Sequence, residues 1–232
     1  GIDFTELKKN ALALPAAARL DEVIELNKEA VVQDYSSQGV GDLLEQALVK
    51  LREQPGGARR VWDCCAASGG KSIMAYDIDN SIRLTVSDIR ASILINLLKR
   101  LRQAGISNYQ SFVADLTEGS LQQVKPYDLI ICDAPCTGSG TWGRTPEQLY
   151  FFEETAIQKY ASLQQNILRT VIPTLRTDGY ILYITCSVFK KENEDAVRYL
   201  EDNFPLELVS ASLLKGYEMK ADTMFAALLK KK

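Results

Sequence analysis

The chain has 232 residues, 46% of them hydrophobic and 25% charged, with a net charge of −3, a pI near 5.2 and no histidine. That length suits one large α/β domain or two small ones. No apolar run reaches the roughly 20 residues of a membrane span, and the acidic balance argues against a large nucleic-acid footprint on this chain alone.

In chain order, the first thirty residues are the hardest to read. Ala11–Leu20 has a helical pattern interrupted by Pro15, and Val23–Leu26 alternates like a short strand. Residues 1–30 are therefore expected to be an N-terminal extension, the remnant of a preceding RNA-recognition subdomain. Residues 31–232 are expected to form the main domain. The opening Gly1-Ile2-Asp3 is unlike a signal peptide, and a start without methionine is expected of a piece of a longer protein.

A helix at Leu43–Glu53 ends at Pro55-Gly56-Gly57. From there strands and helices alternate. Strands are predicted at Arg59–Asp63, Ile82–Ser87, Gln110–Val113, Tyr127–Cys132, Tyr180–Thr185, Leu206–Ser210 and Thr223–Leu229. Helices are predicted at Lys71–Asp77, Ala91–Gln103, Glu153–Leu175 and Glu192–Asn203, with a weak one near Ser120 and a long polar loop before Glu153. This order predicts an α/β fold, a doubly wound and mostly parallel seven-stranded sheet with right-handed crossovers.

Histidine's absence removes His-dependent triads, His-ligated zinc and the commonest general base. Five cysteines without a C-x-x-C pair argue against a disulfide framework or a structural zinc site, so no metal is expected and a reducing cytoplasm is.

The chemistry is expected at the carboxyl ends of the strands, where open α/β sheets bind ligands. After the first strand of the alternating series comes Asp63-Cys64-Cys65-Ala66-Ala67-Ser68-Gly69-Gly70-Lys71-Ser72. Small residues there let a ligand approach the backbone, and the following helix offers N-terminal amides. The phosphate-loop pattern needs glycine where Cys65 stands, and the dinucleotide pattern also fails. Asp63, Asp88 and Asp115 close three successive strands; together they repel a polyphosphate and suit a cationic sulfonium nucleoside. Asp88 is placed for ribose hydroxyls and Asp115 for an adenine amino group. S-adenosylmethionine fits this spacing and charge.

Two further strands end in cysteine: Asp133-Ala134-Pro135-Cys136-Thr137-Gly138-Ser139-Gly140 and Thr185-Cys186-Ser187. Buried cysteine is often only packing. Two thiols delivered to the ligand-binding edge beside an acid and turn glycines point instead to covalent chemistry.

These stretches, with Glu192-Asn193-Glu194, resemble the S-adenosylmethionine-dependent RNA cytosine-5 methyltransferases of the bacterial rRNA and Nop2/Sun type. The resemblance runs from Val32 to Lys230. It implies a Rossmann-like class I methyltransferase fold that methylates C5 of a cytosine in RNA, expected to be rRNA, presented single-stranded or flipped out. It also implies a cofactor site of Cys65, Ala66, Ala67, Ser68, Gly69, Gly70, Lys71, Asp88, Asp115 and Asp133. Cys186 would be the nucleophile and Cys136 the residue that helps release product. Departures from the family pattern are Ser68 in place of proline, Ile93 in place of arginine, and Thr223-Met224 in place of Asp-Gly.

The reaction explains the residue types. A thiolate adding to C6 makes C5 nucleophilic, and a free cysteine is only a few per cent ionised at neutral pH. Lys71 is a candidate for stabilising that thiolate or for facing solvent or cofactor. Asp133 is a candidate acid at cytosine N3. Trp142 and Arg144 either grip RNA or pack. Spacing alone leaves open which cysteine attacks, because DNA cytosine-5 methyltransferases use the one in Pro-Cys. A DNA or small-molecule methyltransferase, or a non-catalytic cofactor-binding scaffold, are the rival readings. A cytoplasmic monomer without membrane contact is expected.

Overall fold

A computed structural model describes residues 2–8, 10–15, 17–119 and 126–232. The expected weak helix near Ser120 falls largely outside them. The strands are β1 (Thr5–Lys8), β2 (Ala11–Ala13), β3 (Arg60–Asp63), β4 (Arg83–Asp88), β5 (Tyr109–Val113), β6 (Tyr127–Asp133), β7 (Leu175–Thr185), β8 (Leu206–Leu214) and β9 (Met224–Lys231). The α-helices are α1 (Tyr35–Gly39), α2 (Gly41–Arg52), α3 (Gly70–Ile78), α4 (Ala91–Gln103), α5 (Glu147–Tyr150), α6 (Thr155–Val171) and α7 (Glu194–Asn203). No helix among the described residues is long and apolar enough to cross a membrane.

β3 to β9 form one seven-stranded sheet in the order β5-β4-β3-β6-β7-β9-β8. β5, β4, β3, β6 and β7 run parallel, and β9 pairs antiparallel with β7 and β8. The expected doubly wound, mostly parallel sheet is thus present. Its central strands carry apolar residues on both faces, as a strand covered on two sides requires. Along β6, Leu129 and Ile131 face a core filled by Leu44, Leu48 and Leu51 of α2 and Leu94, Leu97 and Leu101 of α4. Ile130 and Cys132 face the opposite core, filled by Ile167, Leu168 and Val171 of α6 and Ala196, Val197 and Leu200 of α7. β7 and β9 alternate in the same way.

Four expectations about elements fail, each for a local reason. Ala11–Ala13 is a strand paired with β1, not the start of a helix, because Pro15 cuts any helix from Ala11 too short to form. Val23–Leu26 is no strand: Val23 follows a single 3₁₀ turn at Leu20–Glu22, and Leu26 makes only an isolated bridge to Ala30. The long helix stops at Val171 because Pro173 sits in a 3₁₀ turn, and Leu175 already opens β7. Glu192, expected to open the last helix, lies in the turn Lys190–Glu192 ahead of α7.

Candidate active site

The strand order reverses between β3 and β6, since β4 and β5 extend the sheet one way from β3 and β6 and β7 the other. That switch point opens a crevice at the carboxyl ends. Along this edge stand, in order, Asp115 after β5, Asp88 ending β4, Asp63 and Cys65 at the end of β3, Asp133 ending β6, and Cys186 after β7. Neighbouring strands lie about 4.8 Å apart, so the row from Asp115 to Cys186 covers roughly 19 Å.

The turn after β3 is built on small residues. Ala67 and Gly69 have φ of 44° and 84°, and the Gly69 N–H closes the turn on the Ala66 carbonyl at 2.8 Å. Gly69 is needed twice: its backbone is left-handed, and a Cβ would press on Leu97 at 3.0 Å. Ser68 lends its carbonyl to Arg100 at 2.6 Å. Gly70 then begins α3, placing Lys71 in its first turn.

Asp88 is already occupied. Its carboxylate accepts from the Ala67 N–H at 3.0 Å, from the Arg90 N–H at 2.9 Å, and from the Arg90 guanidinium at 3.0 and 3.2 Å. Burial works against this carboxylate, but the Arg90 bonds overcome it and hold its pKa below the usual range. Asp115 is exposed and caps its own turn, accepting from the Thr117 N–H and hydroxyl at 2.9 and 2.6 Å, which lowers its pKa. Asp63 is fully buried with one bond, from the Ser72 hydroxyl at 2.6 Å, and its Oδ1 has no partner. Burial raises its pKa to about 7.

The reacting half is tighter. The Cys136 and Cys186 sulfurs lie 3.3 Å apart. Either sulfur can donate to the other; with Cys136 as donor, the bond pulls the Cys186 pKa below that of a free thiol, although burial and the carboxylates of Asp133 and Asp222 oppose this. The same bond, with burial, raises Cys136 steeply. With the bond in that sense, Cys186 ionises more readily than Cys136. Lys71 stands beside this pair, where its ammonium donates to Asp133 at 3.2 Å and to the Ser37 hydroxyl at 2.7 Å.

The anchor of this pair is a residue to which the sequence assigned no role. Glu192 is fully buried, and its carboxylate accepts the Thr137 N–H at 2.8 Å, the Thr137 hydroxyl at 2.6 Å and the Ser187 hydroxyl at 2.5 Å. One side chain thus ties the residue after Cys136 to the residue after Cys186. Asn193 supports it, accepting from the Thr185 hydroxyl at 2.5 Å and donating to the Ser187 carbonyl at 2.8 Å. Gly140 lies between the two loops, donating to the Cys186 carbonyl and accepting from the Thr223 N–H, both at 2.8 Å. A Cβ there would collide with the Thr223 carbonyl.

The loop residues offered as RNA grips are otherwise engaged. Arg144 makes a bidentate pair with Asp222 at 3.2 and 2.7 Å. Trp142 packs edge-on against Phe152 and Phe189, with centroids 4.9 and 6.0 Å away.

Residues 50–229 match the family described as 16S rRNA methyltransferase RsmB/F. The ribosomal RNA small subunit methyltransferase B of Xanthomonas campestris is 31% identical over 197 residues, 79% of this chain and 42% of that protein. The 26S rRNA (cytosine-C(5))-methyltransferase nsun-1 of Caenorhabditis elegans is 29% identical, over 82% of this chain and 29% of that protein. A methyltransferase homologue from Pyrococcus horikoshii shares the fold with a TM-score of 0.80 at 23% identity, covering 100% of this chain and 79% of its own. The chain spans under half the length of these curated relatives. By this match over most of its length, the chain belongs to the family described as 16S rRNA methyltransferase RsmB/F.

Proposed function

We propose that residues 31–232 form a catalytic domain that transfers a methyl group from S-adenosylmethionine to C5 of a cytosine in ribosomal RNA, acting as a monomer in the cytoplasm. Residues 1–30 are then the edge of a preceding RNA-recognition unit. The observation that carries this reading is the pair of thiols 3.3 Å apart at adjacent strand ends.

The residues of the cofactor half fit the donor. Carboxylates at Asp88 and Asp133, with no phosphate-binding pattern, suit a nucleoside carrying a positive sulfonium. Cys65 to Lys71 and Asp115 would line the same crevice. Because Asp88 is engaged by Arg90, ribose hydroxyls would share that carboxylate with the guanidinium. When bound, the cofactor supplies an electrophilic methyl group.

The rest falls to the chain's own side chains. Cys186 as thiolate bonds to C6 of the flipped base, and the electron pair displaced onto C5 takes the methyl group. Asp133, paired with Lys71, faces the base at the junction of the two halves and, in its protonated form, passes that proton to N3 and is left as a carboxylate beside the Lys71 ammonium. Water takes the C5 proton as the C5–C6 double bond re-forms and the Cys186 sulfur leaves as thiolate, and N3 returns its proton to Asp133. Cys136 donates its S–H to the departing thiolate, making it a better leaving group.

Transfer of tritiated methyl groups to bulk rRNA tests the assignment. Incorporation at C5 of cytosine, absent in Cys186→Ala, is expected. Incorporation into DNA only, or none into any nucleic acid, would overturn it.

A further inference from the structure

Three of the five cysteines form a second sulfur cluster, separate from the catalytic pair. Cys64, Cys65 and Cys132 place all three sulfurs within 4.8 Å of one another. Cys64 follows β3 and Cys132 lies near the end of β6; the strands are hydrogen-bonded here, with the Cys64 N–H on the Ile131 carbonyl at 2.9 Å. Cys65, next in the turn, closes the triangle. Cys64 and Cys132 are fully buried, whereas Cys65 is partly exposed. The proposed methyl transfer uses neither Cys64 nor Cys132.

Size and charge together select a ligand. An atom about 2.3 Å from each of three sulfurs holds them about 3.8–4.0 Å apart, inside the observed envelope. The walls are apolar, with Trp62, Leu116 and Ile130 in the same core. There is no histidine in the chain to complete a tetrahedral zinc site. Three thiolates around a divalent cation would leave one net negative charge among these apolar neighbours, and around a monovalent cation two. Asp63 and Asp133 stand at the ends of the same two strands, so either charge would be costly. A trivalent metalloid bound by three thiolates is neutral.

We propose that Cys64, Cys65 and Cys132 form a three-thiol binding site for trivalent arsenic. The exchange balances without any oxidant: arsenous acid and three thiols give one arsenic trithiolate and three waters. Each As–O bond is replaced by an As–S bond, and each thiol proton leaves in a water molecule. Entry is by way of Cys65, the partly exposed member. The site owes nothing to the catalytic assignment, because its three sulfurs are in place whether or not the chain methylates RNA.

The test uses the full chain carrying Cys136→Ser and Cys186→Ser, so that the other close thiol pair cannot compete. It is exposed to sodium arsenite under reducing conditions and weighed intact by native mass spectrometry. One arsenic per chain is expected, with a mass gain equal to arsenic less three protons, the signature of three sulfur bonds. Adding Cys65→Ser should abolish that product, and adding Cys132→Ala should do the same. No uptake, or a product that keeps a hydroxyl on arsenic and so engages only two sulfurs, would each overturn the proposal. The product's mass in the parent chain decides the matter even if the Cys132 variant fails to fold.

Discussion

Replacing Glu192 with glutamine changes one oxygen for an amide nitrogen and leaves the side chain's size almost unaltered. One carboxylate oxygen accepts from the Thr137 and Ser187 hydroxyls at 2.6 and 2.5 Å, and the other from the Thr137 N–H at 2.8 Å. An amide oxygen in the second position keeps the N–H bond, but the amide nitrogen then meets two donors. Losing two hydrogen bonds to a charged group, at the lower end of about 1.5–3 kcal/mol each, costs about 3 kcal/mol. In a domain of this size 1 kcal/mol corresponds to about 2–4 °C, so Tm should fall by roughly 6–12 °C. The loops carrying Cys136 and Cys186 lose their common tie, and a displacement of about 1 Å at a reacting group costs about 100-fold in rate. Single-turnover methyl transfer below the melting range should therefore show kcat about 100-fold lower, with KM for the methyl donor unchanged, because the turn Cys65–Lys71 is untouched. A variant that melts within about 2 °C of the parent and keeps its full kcat would refute the idea that this carboxylate holds the sulfur pair.

Three other changes probe different parts of the molecule. Removing the donor thiol with Cys136→Ala raises the Cys186 pKa, so alkylation of Cys186 by iodoacetamide, followed by peptide mass spectrometry, should shift to higher pH; an unmoved profile would contradict the donor assignment. Asp63, with its folded-state pKa raised to about 7, favours the protonated folded state. The stability this gives is fully present below the ordinary carboxylate range and is lost as pH rises to about 7. Asp63→Asn should flatten that decline, read as the change in urea midpoint between acidic and neutral pH, and a parallel decline in both proteins would count against it. At the opposite end of the sheet Asp128 accepts from Arg176 at 2.6 Å and from the Arg60 N–H at 2.7 Å, with Arg59 at 3.8 Å. Asp128→Ala strands buried cationic groups and should cost about 3 kcal/mol in chemical denaturation while leaving KM for the methyl donor unchanged; a loss under about 1 kcal/mol would show the cluster to be solvated.

What the sequence disclosed was what neighbouring residues decide. The apolar runs ending at Cys132 and Thr185 announce strands buried on both faces, and the turn residues that follow place Asp133, Cys136 and Cys186 at the carboxyl edge without knowledge of the rest of the fold. What stayed hidden depends on partners far along the chain. Thr5–Lys8 makes a strand only because Ala11–Ala13 pairs with it. Arg144 reads as a loop cation until Asp222 is seen across from it. The acceptor role of Glu192 arises because the loop after β6 and the loop after β7 converge on it. Cys132 joins Cys64 and Cys65 only once β3 and β6 lie side by side. Asp88 and Asp115 stand where their strands were expected to end, yet both are engaged by their own neighbours, a local competition that spacing does not express.

The decisive assay runs wild type, Cys136→Ala and Cys186→Ala with RNA and methyl donor on a denaturing gel. Stalled protein–RNA adduct should build up in Cys136→Ala, whose leaving sulfur has lost its hydrogen-bond donor, and none should form in Cys186→Ala. Adduct retained by the chain that lacks Cys186 would make Cys136 the attacking sulfur and reverse the roles assigned to the pair.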